Sequence, residues 1–422
     1  MNNKRNRRPV ERKAMLGTML DGTLTANAVE IGNSPIGKGY AFGLTWDEIN
    51  RHLVIIGGTG VGKSETQLRI MSSFMALPRA NQSEPQIRII FVDAKGSNAS
   101  SSELSRRSIK ASSIRMAQDH GYKNIYAFPD QPIDGFSGTP LQVIERLSGL
   151  FNHGESEFHH SEATVMLELA FYAGIPPASL SELVSRMRSG VAEAIYLGLG
   201  TEEGLQKSKE CKGFTSTQWN SVYLRLKSLL LRVGDKFDKG MYSFNFRDAD
   251  FAYVSIDGTT SPQSAGDEAA WLLKLIGEIT SYQDGRKTLV FLDEFSAIGE
   301  DDRGVRLVAG MFERVRSAGI GLVIGTQTTA SLGELKDRIL GAVGTLVTHR
   351  NGAPEDVITF AGTVSRYEDT YEVDEFGNRN KKSGRIQDQF SVAPDDVRRL
   401  PTGECFLINS GGWAHVAIKA ID

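Results

Sequence analysis

The stretch RHLVIIGGTGVGKS at residues 51–64 decides the fold. Its apolar run, residues 52–56, is typical of a parallel strand that is buried on both faces. The loop that follows, residues 57–64, matches GxxxxGK[ST] at every required position, and a helix is predicted from there to Leu77. A second buried strand is predicted at residues 87–92. Strand, loop, helix and strand form a βαβ unit, so the predicted class is α/β.

The loop has the residue types that bind the phosphates of a nucleotide. Its glycines let backbone N–H groups curl around an anion, and the helix N-terminus adds positive partial charge. We expect Lys63 to reach the β- and γ-phosphates of ATP and the Ser64 hydroxyl to ligate Mg²⁺. The predicted nucleotide-binding residues are Gly57, Gly58, Thr59, Gly60, Val61, Gly62, Lys63, Ser64 and, from the acidic site described next, Asp293.

Two strand ends offer the acidic partner of this loop. Asp93 ends the second strand, and Asp293-Glu294 follows the apolar run at residues 288–292. Only the second candidate pairs a metal-side carboxylate with an adjacent one that can activate a water. We therefore predict that Asp293 holds Mg²⁺, directly or through water, and that Glu294 is the base for the attacking water. Asp93 and Lys95 are expected to shape the rim of the site.

Two further residues are predicted to act on the γ-phosphate. Gln327 follows a predicted strand at residues 321–324, and the C-terminal end of a parallel strand is where an amide can orient the water. Transition-state charge also calls for an arginine, often from a neighbouring subunit. Arg314, Arg316 and Arg350 are candidates, and of these we favour Arg350.

The order of the patterns predicts a RecA-like nucleotide-binding domain with a mainly parallel sheet, into which an all-helical domain is inserted. Residues 219–231 (WNSVYLRLKSLLL), for example, have helical periodicity and contain neither glycine nor proline. The insertion accounts for the 230 residues that separate Lys63 from Asp293. The predicted divisions are a basic flexible tail (1–35), the first part of the nucleotide-binding domain (36–130), the helical insertion (131–245) and the second part (246–422).

Composition bounds the class of protein. The chain has 422 residues and a net charge of −3, although the first thirteen residues hold six basic side chains against Glu11. This tail is either a phosphate- or membrane-binding arm or a solvated terminus.

Cys211 and Cys405 lie in no metal-binding spacing and exclude a disulfide scaffold. No apolar run approaches the ~20 residues that span a bilayer, so we expect a cytoplasmic protein, at most peripheral at the inner face of the membrane.

The sequence resembles the FtsK/HerA branch of hexameric P-loop motor ATPases, and within it the coupling proteins of conjugative type IV secretion systems. The resemblance extends from about residue 36 to the C-terminus. It rests on RHLVIIGGTGVGKS (51–64), FVDAKGS (91–97), LVFLDEFSAIG (289–299), RSAGIGLVIGTQ (316–327) and VAPDDVRRLPTGECFLI (392–408).

The resemblance implies a homo-hexamer that hydrolyses ATP between subunits and moves DNA through a central channel. It also implies docking to a relaxase-bound DNA strand and to a type IV secretion channel. Many coupling proteins carry an N-terminal transmembrane anchor, whereas residues 1–35 form a basic tail here. We therefore expect either a separate membrane-anchoring partner or a cytosolic motor of the same branch.

Two other functions stay open at this stage. One is an ATP-driven receptor for protein substrates, and the other is a HerA-like DNA motor that works with a nuclease or a packaging system. The candidate DNA-facing segments are the basic loops 106–110 and 379–382. His153, His159 and His160, near Glu155 and Glu157, are not expected to bind a metal.

Overall fold

The computed structural model describes most of the chain. The described ranges are 19–20, 28–35, 41–77, 86–96, 108–151, 157–257, 262–296, 302–373, 379–410 and 412–421. The chain divides into two compact units. Unit one comprises Met1–Ala80, Gly321–Ser331 and Lys336–Asp422, and unit two comprises Asn81–Ile320 and Leu332–Leu335.

In chain order the strands are β1 (Met19–Leu20), β2 (Ala28–Asn33), β3 (Ala41–Thr45), β4 (Leu53–Ile56), β5 (Arg88–Asp93), β6 (Ile125–Phe128), β7 (Phe251–Ser255), β8 (Thr288–Asp293), β9 (Ile320–Thr326), β10 (Thr345–Thr348), β11 (Thr363–Val373), β12 (Arg379–Phe390), β13 (Glu404–Asn409) and β14 (Gly412–Ile418). The helices are α1 (Trp46–Ile49), α2 (Lys63–Met75), α3 (Ile109–Asp119), α4 (Pro140–Ser148), α5 (Glu157–Phe171), α6 (Leu180–Arg186), α7 (Val191–Gly198), α8 (Glu202–Lys212), α9 (Ser216–Val233), α10 (Pro262–Gly277), α11 (Asp302–Arg314), α12 (Lys336–Ala342), α13 (Glu355–Ala361) and α14 (Pro394–Arg398).

The sheet of unit one has parallel strands around β4. This strand pairs in parallel with β10 on one side and with β9 on the other, with Leu53 opposite Thr345 and Val323. Every residue of β4 is buried, as a strand in the middle of a parallel sheet requires. Antiparallel strands extend the sheet beyond β10, in the order β10-β13-β14-β2-β3-β1.

Helix α2 begins at Lys63, directly after the glycine loop, and ends at Met75, close to the predicted end. Four of its buried apolar residues recur at three- and four-residue steps and form one face: Leu68, Met71, Phe74 and Met75. Ile70 is buried as well. Burying each large apolar side chain of this kind contributes about 1.5–3 kcal/mol. The helix is therefore fixed firmly at the end of β4.

The sheet of unit two is entirely parallel, in the order β8-β5-β7-β6. Strands β5 and β8 are buried along their whole length, and their last residues, Asp93 and Asp293, lie side by side in register. Phe91 stacks between Tyr253 and Phe291 on the neighbouring strands. The two acidic strand ends therefore share one edge of a rigid sheet.

Helices α4 to α9 lie between β6 and β7 and form the predicted helical insertion. The segment WNSVYLRLKSLLL lies within α9, whose N-terminus has a capping box of Thr215 and Gln218. The helices predicted at 265–281 and 303–317 are α10 and α11, each continued by a short 3₁₀ turn.

Two segments differ from their sequence-based interpretation. Residues 379–382, predicted as a basic loop, begin β12, which pairs with β11 in a separate two-stranded antiparallel ribbon. Residues 28–33 lie within the predicted N-terminal tail, but they form β2, in which Val29 and Ile31 are buried. The basic arm in the first thirteen residues, and Arg106 and Arg107 of the predicted basic loop 106–110, lie outside the described residues, whereas Lys110 of that loop lies in α3.

Candidate functional site

The glycine loop at residues 57–64, called the P-loop below, is anchored at three points within unit one. The N–H of Gly57 donates to the carbonyl of Thr326 (3.2 Å) and the N–H of Gly58 to that of Arg350 (3.0 Å). The carbonyl of Val61 accepts from the N–H of Gly403 (3.1 Å). Three segments distant in sequence therefore hold the loop.

Glycine is required at specific positions of the P-loop. Gly60 and Gly62 have φ of +72° and +112°, in the region that only glycine adopts without strain. A Cβ at Gly57 would lie 2.7 Å from the Cβ of His349, whereas one at Gly58 would meet nothing within 3.4 Å. The loop is thus tightly packed on its β4 side, while Thr59 and Gly60 are exposed.

Lys63 is folded into the loop that precedes it. The side chain is buried, and its Nζ donates to the carbonyls of Gly57 (2.8 Å) and Gly58 (2.9 Å). The ammonium therefore lies at the loop, as the sequence predicts for a phosphate-binding lysine. Ser64, the predicted Mg²⁺ ligand, is half-buried in the first turn of α2.

His349, which no local sequence pattern indicates, packs against the P-loop at Gly57. Its Nδ1 lies 2.9 Å from the carbonyl of Glu404 and must donate to it, because a carbonyl only accepts. Burial, together with the charge of Lys63, lowers the pKa of His349 to about 4. The ring is therefore neutral at pH 7, and its Nε2 is an acceptor 2.9 Å from the Thr66 hydroxyl, whose single hydrogen it shares with the carbonyl of Gly62 (3.0 Å).

Gln327 and Arg350 both lie next to residues that anchor the P-loop. Gln327 is half-buried and follows Thr326 at the end of β9. Arg350 is exposed and follows His349, and its own carbonyl accepts from Gly58. The other two arginine candidates belong to unit two, where both are exposed and the Nε of Arg314 donates to the carbonyl of Gly310 (3.0 Å).

Unit two brings together an acidic cluster of Asp93, Asp293 and Glu294, all buried. Asp293 accepts the backbone N–H of Glu294 at 3.0 Å. Glu294 has φ of +53°, a left-handed conformation that costs a non-glycine residue roughly 1–2 kcal/mol. Strained backbone of this kind concentrates at functional sites, which fits the predicted role of Glu294.

Lys95, which the sequence predicts at the rim of the site, is the cation that pairs with this cluster, and its pairing with Glu294 was not predicted. Its Nζ lies 2.7 Å from Oε2 of Glu294, while the hydroxyl of Ser296 donates to Oε1 (2.9 Å). Burial lowers the pKa of Lys95, but the bond to Glu294 and the charges of Glu294, Asp293 and Asp93 outweigh it, so the pKa is raised overall. Lys95 thus stays an ammonium at neutral pH.

The described residues offer no cluster of three or more His, Cys, Asp or Glu side chains that could hold a metal ion by themselves. The predicted Mg²⁺ ligands are a hydroxyl and a carboxylate, Ser64 in unit one and Asp293 in unit two. Hydroxyl and carboxylate oxygens are ligands of the kind that Mg²⁺ takes, and Mg²⁺ usually binds one or two protein oxygens and completes its shell with water and phosphate. His159, in the histidine-rich segment, contacts Glu162 at 3.3 Å.

Within the described ranges, no helix is both long and apolar enough to cross a bilayer.

Comparison with known proteins identifies the fold. No model of a known protein family matches this chain. A segment of 82 residues, 19% of the chain, is 33% identical to the DNA import protein CedB of Sulfolobus acidocaldarius and spans 14% of that relative.

Solved structures match nearly the whole chain. The conjugative coupling protein TrwB in complex with a non-hydrolysable ATP analogue has a TM-score of 0.64 at 14% identity, over 97% of this chain and 94% of that one. TrwB in complex with ADP and Mg²⁺ has 0.60 at 14% identity, over 96% and 97%. VirB4 of Thermoanaerobacter pseudethanolicus has 0.60 at 14% identity, over 94% and 98%. These likenesses confirm the predicted fold class, a RecA-like P-loop domain with a helical insertion.

Proposed function

We propose that this chain is an ATP-hydrolysing DNA translocase that serves conjugative transfer as a coupling protein. The observation that carries the proposal is the P-loop with its buried Lys63, set between a buried parallel strand and a helix. The fold of the whole chain supports the same function, because it is the fold of TrwB, which has been solved with an ATP analogue and with ADP and Mg²⁺.

The P-loop residues fit a nucleotide chemically. The N–H groups of residues 59–62 and the N-terminus of α2 would bind phosphate oxygens, and Lys63 would exchange its two carbonyl partners for them. Ser64 and Asp293 would hold Mg²⁺. When bound, Mg²⁺ neutralises phosphate charge and orients the γ-phosphoryl group.

The remaining predicted residues act on the attacking water and on the charge that develops. Glu294 takes a proton as the water oxygen bonds to the γ-phosphorus and the bond to the β–γ bridging oxygen breaks, which yields ADP and phosphate. The amide of Gln327 orients the water. The exposed guanidinium of Arg350 stabilises transition-state charge in the site of a neighbouring subunit.

The substrate and partners follow from the motif resemblance and from the relatives. TrwB is a conjugative coupling protein, and the segment related to CedB matches a DNA import protein. We therefore propose a homo-hexamer that passes DNA through a central channel and receives it from a relaxase. It would work at the inner face of the cell membrane, through type IV secretion components or an anchoring partner.

The test is the steady-state ATPase rate over a range of protein concentrations, with no DNA, with single-stranded DNA and with double-stranded DNA. A translocase that assembles gives a rate that rises steeply with concentration and increases further with DNA. Glu294→Gln is expected to abolish hydrolysis while ATP binding persists. Equal hydrolysis by Glu294→Gln and the parent would refute the role of Glu294.

A low rate that is indifferent to DNA would refute the translocase and favour a receptor for protein substrates. A DNA-stimulated rate leaves the transfer context to be tested. Co-purification with a relaxase supports conjugation, whereas co-purification with a nuclease or a packaging protein favours a HerA-like motor.

A further inference from the structure

The ion pair between Lys95 and Glu294 joins two residues of very different exposure. The Lys95 side chain is 48% exposed, whereas that of Glu294 is 6% exposed. The carboxylate is therefore fixed in the protein interior, and the ammonium is the partner that can move into solvent. Each carboxylate oxygen has a contact of its own, Oε1 with Ser296 and Oε2 with Lys95.

Several contacts fix the backbone around Lys95. The Lys95 N–H donates to Oδ1 of Asp93 (3.0 Å), and the hydroxyl of Tyr253 donates to Oδ2 of the same carboxylate (2.5 Å). Gly96 turns the chain with φ of +64°, where a Cβ would lie 2.9 Å from the Cα of Asp257. These contacts hold the backbone of residues 93–96, and the half-exposed Lys95 side chain extends from it to Glu294.

We propose that Lys95 is a latch on Glu294: the ion pair restrains the carboxylate that activates water until a phosphate group binds the ammonium and releases it. The proposal rests on the proposed function, in which Glu294 is the base. The phosphate can belong to the nucleotide or to the DNA backbone, and in either case it carries the charge needed to compete with one carboxylate. Such a latch keeps hydrolysis slow while no phosphate engages Lys95.

Kinetics test the restraint. Lys95→Ala removes an ion pair that must otherwise be broken, so we expect kcat/KM for ATP without DNA to rise about fivefold, the scale of a half-exposed pair. Lys95→Arg keeps the positive charge and is expected to raise kcat/KM less than Lys95→Ala does. An unchanged or lowered kcat/KM in Lys95→Ala would overturn the latch, and a lowered kcat would mark Lys95 as a positioning residue instead.

A second measurement does not depend on hydrolysis. Lysines of the full chain are labelled by reductive ¹³C-methylation, and the signal that is lost in Lys95→Arg is assigned to Lys95. We expect Glu294→Gln to shift this signal, and a phosphate ligand to move the parent signal in the same direction. A non-hydrolysable ATP analogue with Mg²⁺ and a DNA oligonucleotide, added separately, distinguish the two sources of phosphate.

If neither ligand moves the Lys95 signal, the latch is refuted, whatever the ATPase activity. If the parent hydrolyses no ATP but the signal responds to one of the ligands, the proposed function fails while the release of Lys95 by phosphate stands. The two proposals therefore fail separately.

Discussion

Protonation of His349 is expected to destabilise unit one by about 3 kcal/mol. The pKa of His349 is about 4 in the folded chain, against an ordinary value of 6.5. Each unit of difference corresponds to about 1.36 kcal/mol, which gives the stated magnitude. The ring is buried under the P-loop, where a second positive charge would face Lys63 and would lose its hydration.

The sign follows from proton binding. Above pH 6.5 the imidazole is neutral in both the folded and the unfolded chain, so it does not lower the free energy of unfolding. Between pH 6.5 and 4 the unfolded chain binds a proton that the folded chain does not, so stability falls as the pH falls. Below pH 4 the folded chain binds the proton as well, so the free energy of unfolding has fallen by the full amount.

Thermal unfolding of the parent and of His349→Gln at pH values from 7.5 to 4 measures this effect, because the difference between the two chains cancels the titration of all other groups. For a unit of this size, about 3 kcal/mol corresponds to about 6–12 °C in Tm. Between pH 7.5 and pH 4 we expect the Tm of the parent to fall by that much more than the Tm of His349→Gln. His160→Gln, at an exposed position, serves as the control and should follow the parent. Parallel curves for the parent and His349→Gln would refute the assignment of a buried, neutral His349.

Three further outcomes are expected from substitutions. Lys63→Met should weaken binding of a fluorescent ATP analogue by roughly 10–100-fold through the loss of a charged hydrogen-bond donor, and unchanged affinity would contradict its role. Gly57→Ala should destabilise the P-loop, because the new methyl would lie 2.7 Å from His349, whereas Gly58→Ala should leave the melting temperature near that of the parent; equal effects in thermal melts would contradict the packing. Tyr253→Phe leaves a buried oxygen of Asp93 without its hydroxyl donor and should cost about 1–3 kcal/mol in chemical denaturation, against no loss if that bond is unimportant.

The P-loop, the parallel strands around it and the acidic strand ends could be predicted because their signals are local. Residues 52–64 contain a buried strand, a glycine loop and a helix start in one continuous stretch. Asp293 and Glu294 follow an apolar run directly. In such cases the chemistry and the secondary structure that positions it are read from the same few residues.

His349 could not be predicted as a support of the P-loop, because its partner Thr66 is 283 residues away. The contact arises only when β10 pairs with β4, and no local sequence pattern predicts the order of the strands. The same reason applies to Lys95, whose partner Glu294 is reached through the pairing of β5 with β8.

The ribbon of β11 and β12 escaped prediction for a different reason. Its residues are largely polar, and side chains such as Tyr367 and Ile386 remain exposed. Alternation between apolar and polar residues marks a strand only when one face is buried. The described side chains of this ribbon, at residues 363–365, 367, 384 and 386–390, are exposed or half-exposed, so they leave no such pattern in the sequence.

The anchoring of the P-loop by Gly403 has a consequence for the synthesis of the chain. The P-loop leaves the ribosome before Gly403, the residue that holds the carbonyl of Val61, which is made some 340 residues later. At about 5–20 residues per second, this interval lasts on the order of tens of seconds. During that time the nascent chain carries the complete glycine motif without its full support. Tight nucleotide binding is therefore expected to begin only after β13 has emerged, so a ribosome-bound chain would be kept from futile hydrolysis until its fold is complete.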